Sequence, residues 1–170
     1  EWTKGYTDIS PRYYVENVPL GTAGGVRAAG SMLDERFIIV SGDALENIDY
    51  AAMLESHMRS GKLVTMAVTD VEDARPFGLV RFDKNGAVTE LTEKPTRLCE
   101  GIVNCGVYIM ERKALSQIPH GVKYDFSRDL FPRLIRMGQV NAHYHNGYWS
   151  DVGSMGSYYA ANFHMLGGSF

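Results

Sequence analysis

Four sets of polar residues stand beside sharp turns in the chain: Asp43, the pair Glu93-Lys94, Asn104 and Asp151. Their types point to one chemistry. Two aspartates far apart in sequence can share a divalent cation, which takes hard oxygen ligands. Lys94 precedes Pro95, so a stiff turn places it, and its ammonium can hold a phosphate as a point charge. An asparagine amide both donates and accepts, as sugar hydroxyls require. Each residue alone also has a plainer use. Asp43 and Asp151 can satisfy turn amides, Glu93 and Lys94 can pair in solvent, and Asn104 can cap a strand edge.

Such residues act together only if strands end where they stand. Phe37-Ile38-Ile39-Val40 is an unbroken apolar run with three β-branched residues, which reads as a strand covered on both faces. Gly42 lets the chain leave the sheet, and Asp43 follows at the C-terminal end, the edge where open α/β sheets bind ligands. Asp49 suits the N-cap of a helix over Tyr50–Ser60, with Gly61 at its C′ position. Leu63–Thr69 is a second buried-type strand. Strand, helix and strand then make a βαβ unit, which implies parallel pairing and a right-handed crossover. Upstream, 1–8 is a polar connection and Arg12–Val18 has strand composition. A Gly-rich turn, Leu20–Gly25, leads into an Ala-rich helix over Val26–Leu33. Such a turn lets amides approach a ligand, although the spacing is neither Gly-x-Gly-x-x-Gly nor a P-loop.

Downstream the pattern changes. Gly78–Asp83 and Ala87–Thr92 are strand-like and flank Asn85-Gly86, a hairpin signal. Asn104–Met110 reads as a strand and Arg112–Gln117 as a short helix. Asp125 or Ser127 can cap a helix over Arg128–Met137, with Gly138 at C′; Pro132 falls inside it and is tolerable only in a first turn or as a kink. Val140–His145 is a strand, and Gly156–Leu166 a last helix.

Composition narrows the class. The chain has 170 residues, 45% hydrophobic and 22% charged, with a net charge of −3. That is ordinary for one globular domain, and it supplies no basic field for nucleic acid or an anionic membrane. No apolar run approaches the roughly 18–20 residues of a membrane span. Cys99 and Cys105 show no metal-ligand spacing, and a reduced, cytoplasmic setting is the simplest reading.

Seven motifs occur in one order: Leu20-Gly21-Thr22-Ala23-Gly24, Gly42-Asp43, Phe77-Gly78-Leu79-Val80, Glu93-Lys94-Pro95, Asn104-Cys105-Gly106-Val107-Tyr108, Asp125-Phe126 through Leu130-Phe131-Pro132, and Gly147 through Gly153. In that order and spacing the chain resembles the sugar-1-phosphate nucleotidyltransferases, from about Arg12 to Leu166. The first and sixth motifs look most like mannose-1-phosphate guanylyltransferases. The resemblance implies transfer of a nucleotidyl group from an NTP, with GTP favoured, to a sugar-1-phosphate, with GDP-mannose as the best guess for the product. It also implies a site. Asp43 and Asp151 would hold Mg²⁺ and, with Lys94, be catalytic. Leu20, Gly21 and Thr22 would bind the nucleotide. Gly78, Glu93, Lys94 and Asn104 would bind the sugar phosphate, Lys94 through the phosphate and Glu93 through hydroxyls.

The fold expected is a three-layer α/β/α, Rossmann-like domain over 1–170 with a mixed, mainly parallel sheet. It departs from the family at its start. The family's opening Gly-x-Gly loop and early Lys-Pro segment do not precede Asp43. The expectation is a domain without its first βα units, inactive as it stands, whose exposed strands pair with another copy or exchange between protomers. The alternative, from a different class, is a non-catalytic module that binds nucleotide or sugar phosphate. A Rossmann dehydrogenase is disfavoured by the missing dinucleotide fingerprint.

Overall fold

The computed structural model describes residues 10–168, so the polar opening, 1–8, lies outside the described residues. Among those described, eight strands and four α-helices follow in order, with Arg112–Gln117 forming a short 3-10 helix. They are α1 (Gly21–Ala28), β1 (Arg36–Val40), β2 (Ala44–Glu46), α2 (Tyr50–Ser60), β3 (Val64–Val71), β4 (Gly78–Phe82), β5 (Val88–Glu93), β6 (Gly101–Glu111), α3 (Phe131–Arg136), β7 (Val140–Tyr144), β8 (Trp149–Asp151) and α4 (Met155–Leu166). The main sheet runs β5-β4-β6-β3-β7, with β1 also paired to β6; β2 and β8 form a separate ribbon.

The strands alternate as a sheet covered on both faces must. On β3 and β6, Val64, Met66, Val68, Tyr108 and Met110 face a core closed by α1, α3 and the β4–β5 hairpin. Ala67, Cys105, Val107 and Ile109 face the other way, towards Met53 of α2. This is the mixed α/β fold expected. The weight of the pairing is not as expected: among the described residues only β3–β7 of the main sheet is parallel, and its remaining strand pairings are antiparallel.

The reason lies in β6. It pairs antiparallel with β1 on one side and with β3 on the other. So β1 and β3 point the same way, as the βαβ reading requires, but a strand from much later in the chain separates them. The run 37–40 is also not covered on both faces. Phe37 and Ile39 pack on the core, whereas Ile38 and Val40 are 47% and 50% exposed. The outer edge of β1 carries no strand among the described residues.

Two further expectations fail. Arg12–Val18 is irregular and exposed, not a strand, because β propensity needs a neighbouring strand and a face to pack on. The Gly-rich stretch is not a turn before a helix; it is the helix, with α1 beginning at Gly21. The amides of Ala23 and Gly24 both donate to the Tyr124 carbonyl oxygen at 3.0 Å, and Tyr124 N–H donates to the Leu20 oxygen at 2.8 Å. A backbone segment far along the chain therefore caps the helix start. Gly21 allows the approach: its φ is +74°, and a Cβ there would lie 2.8 Å from the Tyr124 oxygen.

Local signals hold where partners are local. The Asp49 side chain accepts from Ala52 N–H, and Gly61 ends α2 at φ +61°. Asp125 rather than Ser127 caps the next helix, accepting from Arg128 N–H; the first turn, Phe126–Leu130, is a wide π turn that passes into α3. The Asn85-Gly86 hairpin forms, and its tip docks on β7 through Ala142 N–H to the Gly86 oxygen, 2.7 Å.

Helix α2 rests on the sheet through a polar contact as well as Met53. His57, 2% exposed, lies between Thr65 Oγ1 at 2.9 Å and Glu111 Oε1 at 3.2 Å. Burial lowers its pKa from 6.5 despite the carboxylate. The unfolded chain therefore takes up a proton near pH 6.5 that the folded chain resists, so stability falls as pH drops through that value. The urea midpoint is expected to decline between about pH 7 and 5, and His57→Gln to flatten that decline. An unchanged slope in the variant would exclude His57 as its source.

Candidate active site

The site is assembled where β1 and β6 lose their ladder and the β2–β8 ribbon begins. Residues Ser41, Gly42 and Asp43 follow β1 directly. In the ribbon Ala44 pairs with Asp151, and Val152 N–H donates to the Asp43 carbonyl oxygen at 2.7 Å. Asp43 and Asp151 are thus neighbours across two short antiparallel segments, although far apart in the chain. The Asp151 carboxyl has its pKa raised, first by burial and then by the Asp43 charge; the Gly153 amide and Lys94 partly oppose this. A carboxylate held beside a like charge is an arrangement that a divalent cation relieves. The donor set, two carboxylates with solvent-facing space, fits a hard cation that takes oxygen ligands.

Beside this pair lies a cavity of about 160 Å³. Gly78, Glu93, Asn104 and Asp151 all line it, so four residues singled out in the sequence meet at one hollow. Gly78 is opposite Glu93 in the hairpin, and a Cβ at 78 would come within 3.1 Å of Glu93 Oε2. Glycine there leaves room for the carboxylate. Asn104 is turned inward by a bulge: Met66 pairs with Tyr108 but Val68 with Asn104, leaving extra residues on β6. Its amide oxygen accepts from Gly106 N–H at 3.0 Å, and its Nδ2 donates to Tyr108 Oη at 2.8 Å. One amide hydrogen and one lone pair are left over.

Lys94 is exposed and its N–H donates to the Phe77 oxygen at 2.9 Å. Its φ of +48° makes it the one non-glycine with positive φ among the described residues. Such a conformation costs about 1–2 kcal/mol and persists where surrounding structure enforces it, often at ligand sites. Here the hairpin end on one side and Pro95 on the other enforce it, and the ammonium lies near enough to Asp151 to stabilise its charge.

Leu20, Gly21 and Thr22 do not line this cavity. They dock on the segment Tyr124–Phe126, where Thr22 Oγ1 donates to Asp125 Oδ2 at 2.9 Å and accepts from Phe126 N–H at 3.0 Å. That segment leads to Ser127, which does line the cavity. Asp43 opens instead onto an adjacent hollow of about 420 Å³ between β2 and α4, with Tyr158, Asn162 and Met165.

Other wall residues, among them Trp149, Phe77, Ser127 and Ser41, carried no assigned site role in the sequence. Trp149 donates from Nε1 to the Cys105 oxygen at 2.9 Å and meets Phe77 edge-on at 5.1 Å, so two rings close one side. Its position just before Asp151 was the available signal. Ser127 could be read only as a cap, and Ser41 sits immediately before the Gly42-Asp43 turn.

Comparison with known proteins bears on this arrangement. The profile of the nucleotidyl transferase family matches residues 1–167. The chain is 32% identical over 145 residues to a mannose-1-phosphate guanylyltransferase of Mycobacterium tuberculosis, covering 84% of this chain and 40% of that protein. It is 34% identical over 137 residues to a glucose-1-phosphate adenylyltransferase of Thermomicrobium roseum, covering 76% and 32%. A UTP–glucose-1-phosphate uridylyltransferase of Synechocystis is 31% identical over 153 residues, covering 84% and 39%. Among solved structures, HddC from Yersinia pseudotuberculosis superposes with a TM-score of 0.82 at 26% identity, over 96% of this chain and 72% of that one. The chain spans about two-fifths or less of the length of these curated relatives.

Proposed function

Since the chain belongs to the nucleotidyl transferase family, we propose that its site serves transfer of a nucleotidyl group from an NTP to a sugar-1-phosphate. The observation that carries this is the juxtaposition of Asp43 and Asp151, with the Lys94 ammonium acting on the same carboxylate. In the reaction a sugar-1-phosphate oxygen forms a bond to the α-phosphorus while the α–β bridging bond breaks, and pyrophosphate leaves with its electron pair. Charge crowds at the phosphates, and catalysis is positioning plus charge stabilisation. Asp43 and Asp151 would hold Mg²⁺, which when bound offsets the charge of phosphate oxygens. Lys94 would hold the phosphate of the sugar-1-phosphate. Glu93 and the spare amide valences of Asn104 would take sugar hydroxyls, with Gly78 keeping that wall low. Leu20, Gly21 and Thr22 would contact the nucleotide from outside the cavity.

For the substrate pair we favour GTP and mannose-1-phosphate. The support is a guanylyltransferase among the relatives, together with solved HddC in complex with GMP-PN, to which this chain is 27% identical. Adenylyl- and uridylyltransferases stand at similar identity, so pyrophosphate release across NTP and sugar-1-phosphate pairs is the measurement that decides. The thiols of Cys99 and Cys105 are free, which suits the reducing cytoplasm we propose as the site of reaction. Among the described residues no helix is long and apolar enough to cross a membrane.

Lys94→Ala tests the assignment most directly, because the substitution removes the charge and leaves the enforcing turn in place. Sugar-1-phosphate binding is expected to weaken about 10- to 100-fold, the range for a charge-assisted contact. NTP binding should change far less. Equal weakening of both by calorimetry would remove Lys94 from the sugar phosphate. Tight binding of both ligands to the parent protein with no pyrophosphate release would favour a non-catalytic module instead.

A further inference from the structure

We propose that Ser41 is a positioning residue for Asp43: its hydroxyl fixes one carboxylate oxygen so that the other is presented to the cation beside Asp151. The inference rests on the reading of Asp43 and Asp151 as cation ligands.

Ser41 Oγ donates to Asp43 Oδ1 at 2.5 Å. Asp43 is otherwise poorly restrained. It is exposed and follows Gly42, around which nothing packs within 4 Å of a Cβ position. A carboxylate on such a stalk samples several rotamers in solution, and a cation must then select one, at an entropic cost. The serine hydroxyl removes that freedom in advance.

Ser41 is itself held. Its N–H donates to the Gly106 oxygen at 3.1 Å. Its Cβ lies 3.0 Å from where a Cβ at 106 would stand, and Gly106 has φ +76°, a conformation glycine adopts without penalty. Gly106 N–H in turn donates to Asn104 Oδ1. Hydrogen bonds therefore run in series from Asn104 through Gly106 and Ser41 to Asp43. They tie the wall assigned to the sugar to the carboxylate assigned to the cation, across the ends of β6 and β1. Outer groups that orient a metal ligand in this way typically change metal affinity about 10- to 100-fold when removed.

The test is Mn²⁺ affinity by electron paramagnetic resonance, on the whole chain, for the parent, Ser41→Ala, Ser41→Thr and Asp43→Asn. Ser41→Ala is expected to bind Mn²⁺ about tenfold more weakly, with sugar-1-phosphate affinity falling far less and melting temperature unchanged. Ser41→Thr, which keeps the hydroxyl, should recover the parent affinity, and Asp43→Asn should lose most of it. Parent-like Mn²⁺ binding by Ser41→Ala, beside a clear loss in Asp43→Asn, would overturn the inference while sparing the cation reading. An equal fall in Mn²⁺ and sugar-1-phosphate affinity in Ser41→Ala would mark a general structural role and overturn it as well. Parent-like binding by Asp43→Asn would remove the cation reading itself, and this inference with it.

Discussion

In an enzyme that works as proposed, Asp43→Asn is expected to lower kcat for pyrophosphate release by about 100- to 1,000-fold, the loss seen when one preorganised electrostatic group is removed from a charge-developing site. The substitution is nearly isosteric. The new amide oxygen can still accept from Ser41 Oγ, and the Val152 N–H contact is to the backbone, so the ribbon should survive. Stability should hold or rise. The Asp151 pKa is raised in the folded chain, first by burial and then by the Asp43 charge. For an acid raised in this way, the folded state is favoured at low pH, and that advantage is lost as pH rises through the window above the unfolded value of 3.8. Neutral pH is therefore where the two carboxylates oppose folding, and where neutralising one removes the repulsion. A parallel fall in melting temperature and kcat would mean that Asp43 is structural. A kcat within a few-fold of the parent would end its assignment to the cation.

The largest effect on stability is expected at Phe131. Its side chain is fully buried, 4.8 Å from the Tyr108 ring at 63° and 5.5 Å from Phe126 at 19°; Tyr108 and Phe126 are also 5.5 Å apart. Phe131→Ala removes one ring of this buried triangle and leaves a gap beneath α3. Truncations of this kind cost about 3–5 kcal/mol. The site should feel it, because the Tyr108 hydroxyl accepts from Asn104 Nδ2. Urea unfolding gives the first number, and sugar-1-phosphate affinity at a temperature where the variant remains folded gives the second. Phe131→Leu, which keeps most of the volume, should lose much less of both. A loss below about 1 kcal/mol in Phe131→Ala would show that the core collapses around the gap.

Features whose partners lie nearby in the chain can be read from its sequence; features whose partners lie far away cannot. The turn that carries Asp43 can be read locally: an apolar run, Ser41, a glycine and a carboxylate. The Asp49 cap, the Gly61 stop and the Asn85-Gly86 hairpin were legible for the same reason. The order of strands was not. Nothing between residues 37 and 69 announces that β6 will lie between β1 and β3; a βαβ pattern reports direction, not adjacency. The start of α1 failed similarly, since the group that caps it belongs to Tyr124. Arg12–Val18 shows the converse, strand-type residues with no sheet face offered to them. Charged residues point to the candidate site; its quieter walls, Trp149, Phe77, Ser127 and Ser41, carry little such signal in the sequence.

The docking of the hairpin tip on β7 bears on how the protein can be labelled or extended. Loop tips are the usual places for inserted tags and fluorophores, and Asn85-Gly86 looks like the obvious one. Here the tip is a clasp. A Cβ at Gly86 would stand 2.9 Å from Asn141 Oδ1, and the far ends of the same two strands carry Gly78 and Glu93 into the cavity. A probe inserted at the tip would unfasten one end of an arm whose other end frames the site. His120, exposed in a turn and not part of the cavity wall, is the better attachment point for a reporter meant to leave the chemistry undisturbed.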